Sequence, residues 1–110
     1  MIGTNNLKSD GSEILLDKYE VLIREAEVHE FRKISLVSIL NRTDIGEFHN
    51  SRRIGVNLRL VEMCKSKKIE FLEMSIDVRR HLSKDGLHLS WPGQDWVARR
   101  IFQHCKQHLN

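Results

Sequence analysis

Apolar positions recur at Leu15, Tyr19, Leu22 and Ala26, spacings of four, three and four that place them on one face of a helix. Ser12 suits the N-cap, and the helix is predicted to run to about His29. The period then changes. Ile34 to Leu40 is nearly continuously apolar and rich in β-branched residues, as in a strand covered on both faces. Asn41 to Asn50, with Thr43, Asp44 and Gly46, reads as a loop. From Ser51 the stripe Ile54, Leu58, Val61 and Cys64 or Lys65 predicts a second helix. Lys65, Lys67 and Lys68 crowd its end, where cations oppose the helix dipole favourably. Ile69 to Met74 is the next strand. After a long connection, Ser90 is predicted to cap a third helix with Pro92 in its first turn. Its apolar face continues through Val97, Ile101, Cys105 and Leu109 or His108.

Strands alternating with helices imply an α/β layer of parallel strands joined by right-handed helical crossovers. In such sheets the segments leaving the carboxyl ends of the strands gather on one edge, where ligand sites form. Here those segments are Gly3 to Asp10, Asn41 to Asn50 and Ser75 to Ser90, so Asn5 and His88 are expected on the same edge. Met1-Ile2 can supply only the end of a strand before Gly3. With two full strands, Leu36, Val37 and Ile39 are expected to be partly uncovered, and an open sheet edge is expected to favour self-association or marginal stability.

The 110 residues allow one domain. The net charge of +3 comes from basic pairs (Arg52-Arg53, Lys67-Lys68, Arg79-Arg80, Arg99-Arg100) dispersed among nearly as many acids. That is a solvated surface with a mild anion preference, short of a nucleic-acid stripe. Cys64 and Cys105 lack C-x-x-C spacing and fit two reduced, largely buried thiols better than a disulfide framework or metal site. An intracellular, cytoplasmic location is expected. There is no basic segment followed by an apolar run at the start, and no stretch approaches the roughly eighteen apolar residues of a membrane span.

The chemistry concentrates near the end of the chain. In Asp85-Gly86-Leu87-His88 a carboxylate stands three residues before a histidine in a glycine-containing turn, a spacing that can orient the imidazole as a general base. Gly3-Thr4-Asn5-Asn6 is the second block of interest. Together, in this order and with two strand-helix units between them, they resemble the G-x-N-D and D-x-x-H blocks of the SGNH (GDSL-type) serine ester hydrolases. Leu89-Ser90-Trp91-Pro92-Gly93 follows as that family's run into its last helix does. The wording also resembles esterase-like domains in open reading frames of animal retrotransposons.

The resemblance implies a partial three-layer flavodoxin-like fold, a parallel sheet with flanking helices, spanning 1–110 as a single incomplete domain without its N-terminal strands. It implies that His88 is the base, Asp85 the group that holds its other ring nitrogen, and Asn5 a donor to the developing oxyanion. Gly3 belongs to the same substrate-binding block. Two departures matter. Asn6 stands where the family has an acid, and none of Ser9, Ser12, Ser35, Ser38, Ser51, Ser66, Ser75, Ser83 or Ser90 follows Gly-Asp, so the nucleophile motif has no match. The chain is therefore expected to carry the base and oxyanion parts of an ester hydrolase and to be inactive alone. No cofactor is expected, and the partner is an ester substrate of unspecified type.

Plainer readings exist for each feature. Asp85-Gly86 is also an ordinary turn signal, and Gly3 to Asn6 could be a flexible start. His104 and His108 have two-histidine metal spacing but no third ligand, and read as surface residues. The Lys65 to Lys68 cluster reads as a solvated helix end. Trp91 and Trp96 read as anchors of the last helix, with Trp91 also placed to line an acyl pocket because it follows the site loop. Two other functions fit the composition: a catalytically silent interaction module, and a small basic nucleic-acid-associated domain.

Overall fold

The computed structural model describes residues 11–29 and 33–108. Its elements are α1 (Ser12–Val28), β1 (Ser35–Val37), α2 (Glu47–Lys67), β2 (Glu70–Leu72), α3 (Val78–His81) and α4 (Trp91–His108). β1 pairs with β2 in parallel, with Ser35 opposite Glu70, Leu36 opposite Phe71 and Val37 opposite Leu72. Parallel strands cannot be joined by a tight turn, and α2 is the crossover between them.

Alternation along the strands sorts side chains to two faces. Leu36 and Phe71 face α1 and α2, in a core with Leu15, Tyr19, Ile23, Val56 and Leu60. Leu72 and Val37 face the opposite way, packing with Leu40, Met74 and Val97 of α4. Ser35 is on that second face too, where its hydroxyl meets His104 Nε2 at 2.8 Å. The result is a three-layer helix-sheet-helix arrangement, a partial flavodoxin-like α/β fold.

The strands are shorter than the apolar runs predicted, because the chain leaves ladder geometry after Val37 and Leu72 while staying buried. Side chains take over the backbone bonding there. Asn57 of α2 accepts Ile39 N–H through Oδ1 at 2.8 Å and donates Nδ2 to Ile39 O at 3.1 Å. Ser38 N donates to Leu72 O at 3.0 Å, and Ser38 Oγ accepts Met74 N–H at 2.7 Å. Leu36 and Ile39, expected to be partly uncovered, are 7% and 1% exposed; helices close over both. Val37 is half-buried.

Three helix faces differ from the sequence reading. On α1 the buried stripe is Leu15, Leu16, Tyr19 and Ile23, while Leu22 is turned outward. The helix begins on Gly11, with no side-chain cap from Ser12. α2 starts at Glu47, inside the predicted loop, and buries Val56, Leu60 and Cys64. Ile54 and Leu58 are exposed, so this helix carries two apolar stripes and the sheet takes the one the period did not single out. On α4, Gly93, Val97 and His104 face inward and Ile101 outward. His104 is thus buried against the sheet, correcting its reading as a surface residue.

We expect Asn57→Ala to lower stability by about 2 to 4 kcal/mol in urea unfolding, because it strands the buried N–H and C=O of Ile39 together. Arg59→Ala removes an exposed pairing with Glu13 and should leave the midpoint nearly unchanged.

Candidate active site

The segment after β2 is a tightly bonded hairpin held on α3 and α4. Asp77 caps α3, its carboxylate accepting Arg79 N–H at 3.0 Å. From the end of α3 the chain runs out and back: Ser90 N donates to His81 O at 2.8 Å, Leu82 bridges Leu89, and Ser83 N donates to His88 O at 2.7 Å. Ser90 then caps α4, accepting Gly93 N–H at 3.1 Å while donating to Arg80 O at 2.7 Å. The N-cap read from the sequence is in place.

Asp85 and His88 sit at the hairpin tip. Asp85 Oδ1 accepts the backbone N–H of Leu87 at 2.9 Å and of His88 at 3.0 Å, and Oδ2 lies 2.5 Å from His88 Nδ1. These bonds to the ionised form, His88 first, hold the Asp85 carboxyl down to about 2 although the side chain is exposed. A carboxylate at Nδ1 places the proton there and leaves the Nε2 lone pair outward. The His88 side chain is 75% exposed, and Nε2 meets no hydrogen-bond partner among the described residues. It is positioned to accept a proton from a group brought to it.

Gly86 makes the turn possible. Its φ of +73° suits glycine, its N–H donates to Ser83 O at 3.0 Å, and its carbonyl accepts Thr43 N–H at 2.9 Å. A Cβ on Gly86 would overlap Thr43 Oγ1 and sit 2.8 Å from Asp44 N. The loop after β1 therefore acts as a platform for the hairpin. That loop is stiffened by Arg42, 6% exposed, whose Nε and Nη2 reach Asp44 at 2.8 and 2.6 Å. Two strand-exit loops meet on one edge, as parallel topology requires.

Other predicted residues fare differently. Asn5 and Gly3 lie outside the described residues, so the expected proximity of Asn5 to His88 stands as a proposal. Trp91 opens α4 but is 84% exposed and anchors nothing. Trp96 is the anchor: its indole donates to Ser75 O at 3.0 Å and its ring stacks on His81 at 5.5 Å between centroids. His81 was missed by sequence reasoning. Its Nδ1 accepts Asp77 N–H at 2.9 Å, so the ring proton sits on Nε2. A histidine four residues after a capping Asp was the available signal. Ser83 and Ser90 spend their hydroxyls on His88 O and Arg80 O, leaving neither aimed at the His88 ring. Burial pushes the Cys64 thiol up, away from thiolate chemistry. Among the described residues, no group of three potential metal ligands occurs, and no helix is long and apolar enough to cross a membrane.

Two outcomes follow. Gly86→Ala should cost roughly 1 to 2 kcal/mol from φ alone, plus the overlap with Thr43, and should accelerate amide exchange at Thr43. The depressed Asp85 carboxyl makes the turn's stabilisation complete above the unfolded value near 4 and lost as pH falls through about 2. NMR shifts of the Leu87 and His88 amides should therefore titrate near pH 2; a midpoint near 4 would contradict the bonding described.

No family model matches the sequence, and no curated protein matches it. Solved structures do share its fold. The esterase domain of the ORF1 protein from the zebrafish ZfL2-1 retrotransposon superposes with a TM-score of 0.79, at 25% identity, over 96% of this chain and 70% of that one. A GDSL-like lipase from Bacteroides thetaiotaomicron superposes with a TM-score of 0.74, at 19% identity, over 96% of this chain. The chain spans 59% of that lipase's length. The architecture is accordingly that of an SGNH/GDSL esterase-like α/β domain.

Proposed function

We propose that this chain provides the base half of an SGNH-type serine ester hydrolase. The observation that carries the reading is the Asp85–His88 pair at 2.5 Å, presented on the strand-exit edge with Nε2 open to solvent. In the proposed reaction His88 Nε2 takes the proton of a serine hydroxyl as the oxygen attacks an ester carbonyl. Asp85 stabilises the imidazolium, and the proton is then returned to the leaving alcohol. Asn5 is proposed as a donor to the oxyanion, with Gly3 beside it, and the exposed Trp91 as a face for the substrate.

The serine itself is proposed to come from outside these 110 residues, since no Gly-Asp-Ser occurs in them. Among the described residues one edge of the sheet is left for such a segment. β1 pairs only with β2 among the described residues, and beside it Leu22, Ile23, Ala26 and Leu36 line an apolar cavity of about 240 Å³. A strand added there would extend the sheet and satisfy backbone groups on the open edge. A second copy of the chain could use the same edge for self-association.

The test is release of chromophore from a short-chain aryl ester, with labelling by a serine-directed fluorophosphonate. The chain alone should show background. A form extended upstream through a G-D-S motif should be active, and His88→Ala in that form should lose about 10² to 10⁴-fold. Labelling of a serine within the 110 residues that disappears with His88→Ala would overturn the division proposed.

A further inference from the structure

α2 shows the sheet one apolar stripe and leaves the other, Ile54, Leu58 and Val61, along a cavity of about 320 Å³ completed by Phe71 and the residues just after β2. That volume is at the small end of ligand sites. The lining also carries polar groups, Arg53 and Asn41 among them with Ser38, Asn57 and Ser75. Arg53 Nε is buried and has no hydrogen-bond partner. The guanidinium forms no ion pair among the described residues, and burial pulls its proton affinity down. Arg42 makes the contrast: buried in the same part of the fold, it is held by both oxygens of Asp44. A buried guanidinium N–H without an acceptor is costly, and it is tolerated where an anion completes it. Asn41 uses Oδ1 for Arg42 N–H at 2.9 Å, which leaves its amide nitrogen as a second donor.

We propose that this cavity binds a small aliphatic carboxylate, its head on Arg53 and Asn41 and its chain along Ile54, Leu58, Val61 and Phe71. A single guanidinium with an apolar wall suits a monoanion with a hydrocarbon tail. Glu73 also lines the cavity and disfavours a more highly charged ligand. The site uses neither Asp85 nor His88, and it holds or fails independently of the ester-hydrolase reading.

NMR titration of the chain with sodium butyrate, sodium hexanoate and hexanol tests it. Hexanoate should shift Ile54, Leu58, Val61 and Phe71 saturably. Affinity should rise about three- to fourfold per methylene from butyrate, and hexanol should bind at least tenfold more weakly. Arg53→Gln should weaken hexanoate by about 10 to 100-fold without lowering the melting temperature, since it removes a buried N–H that has no acceptor. Glu73→Gln should tighten it severalfold. Hexanol binding as well as hexanoate, equal affinity in Arg53→Gln, no gain in Glu73→Gln, or no saturable shift at millimolar hexanoate would each overturn the proposal.

Discussion

Among the described residues, two parallel strands of three residues make too few ladder bonds to hold a sheet between two helical layers, and that shortage organises the packing around them. Backbone groups beyond the ladder are buried and must be bonded. Asn57 serves Ile39, and Ser38 serves Met74. On the other face Ser35 meets His104 of α4. These polar side chains fix α2 and α4 to the sheet at defined heights, so the loops beyond the strand ends arrive together. The contact of Thr43 with Gly86, and through it the position of the Asp85–His88 pair, depends on that alignment.

What was legible in the sequence was local. The alternation of helix and strand, the Ser90 cap and the Asp85–His88 pair depend on neighbours a few residues apart, and the structure contains them all; the parallel order followed from that alternation. What was hidden depended on distant partners. The period of α2 contains two stripes, and only the position of the sheet selects Val56, Leu60 and Cys64 over Ile54 and Leu58. His104 looked like a terminal surface residue because Ser35, its partner, lies 69 residues away in the chain. The short helix α3 was invisible because four residues carry no period; its signal is the capping bond of Asp77.

The two arginines near the strand ends show how burial acquires meaning from its partner. Arg42 is almost fully enclosed yet balanced by a bidentate carboxylate, and it serves to stiffen a loop. Arg53 is less enclosed and unbalanced, facing space. Charge on its own distinguishes neither, which is why counting basic residues pointed only to a generic anion preference.

The parallel register carries a kinetic consequence. Ser35 meets Glu70 only after the whole of α2 has been traversed, whereas α2 itself requires contacts no more than a turn apart. Helices form in about a microsecond, and closing a long loop on a parallel partner is far slower. Seating β1 beside β2 is therefore a long-range step, whereas the helices on either side need only local contacts. The Asp85–His88 turn, being local, can form before that; the strand-end platform it rests on cannot.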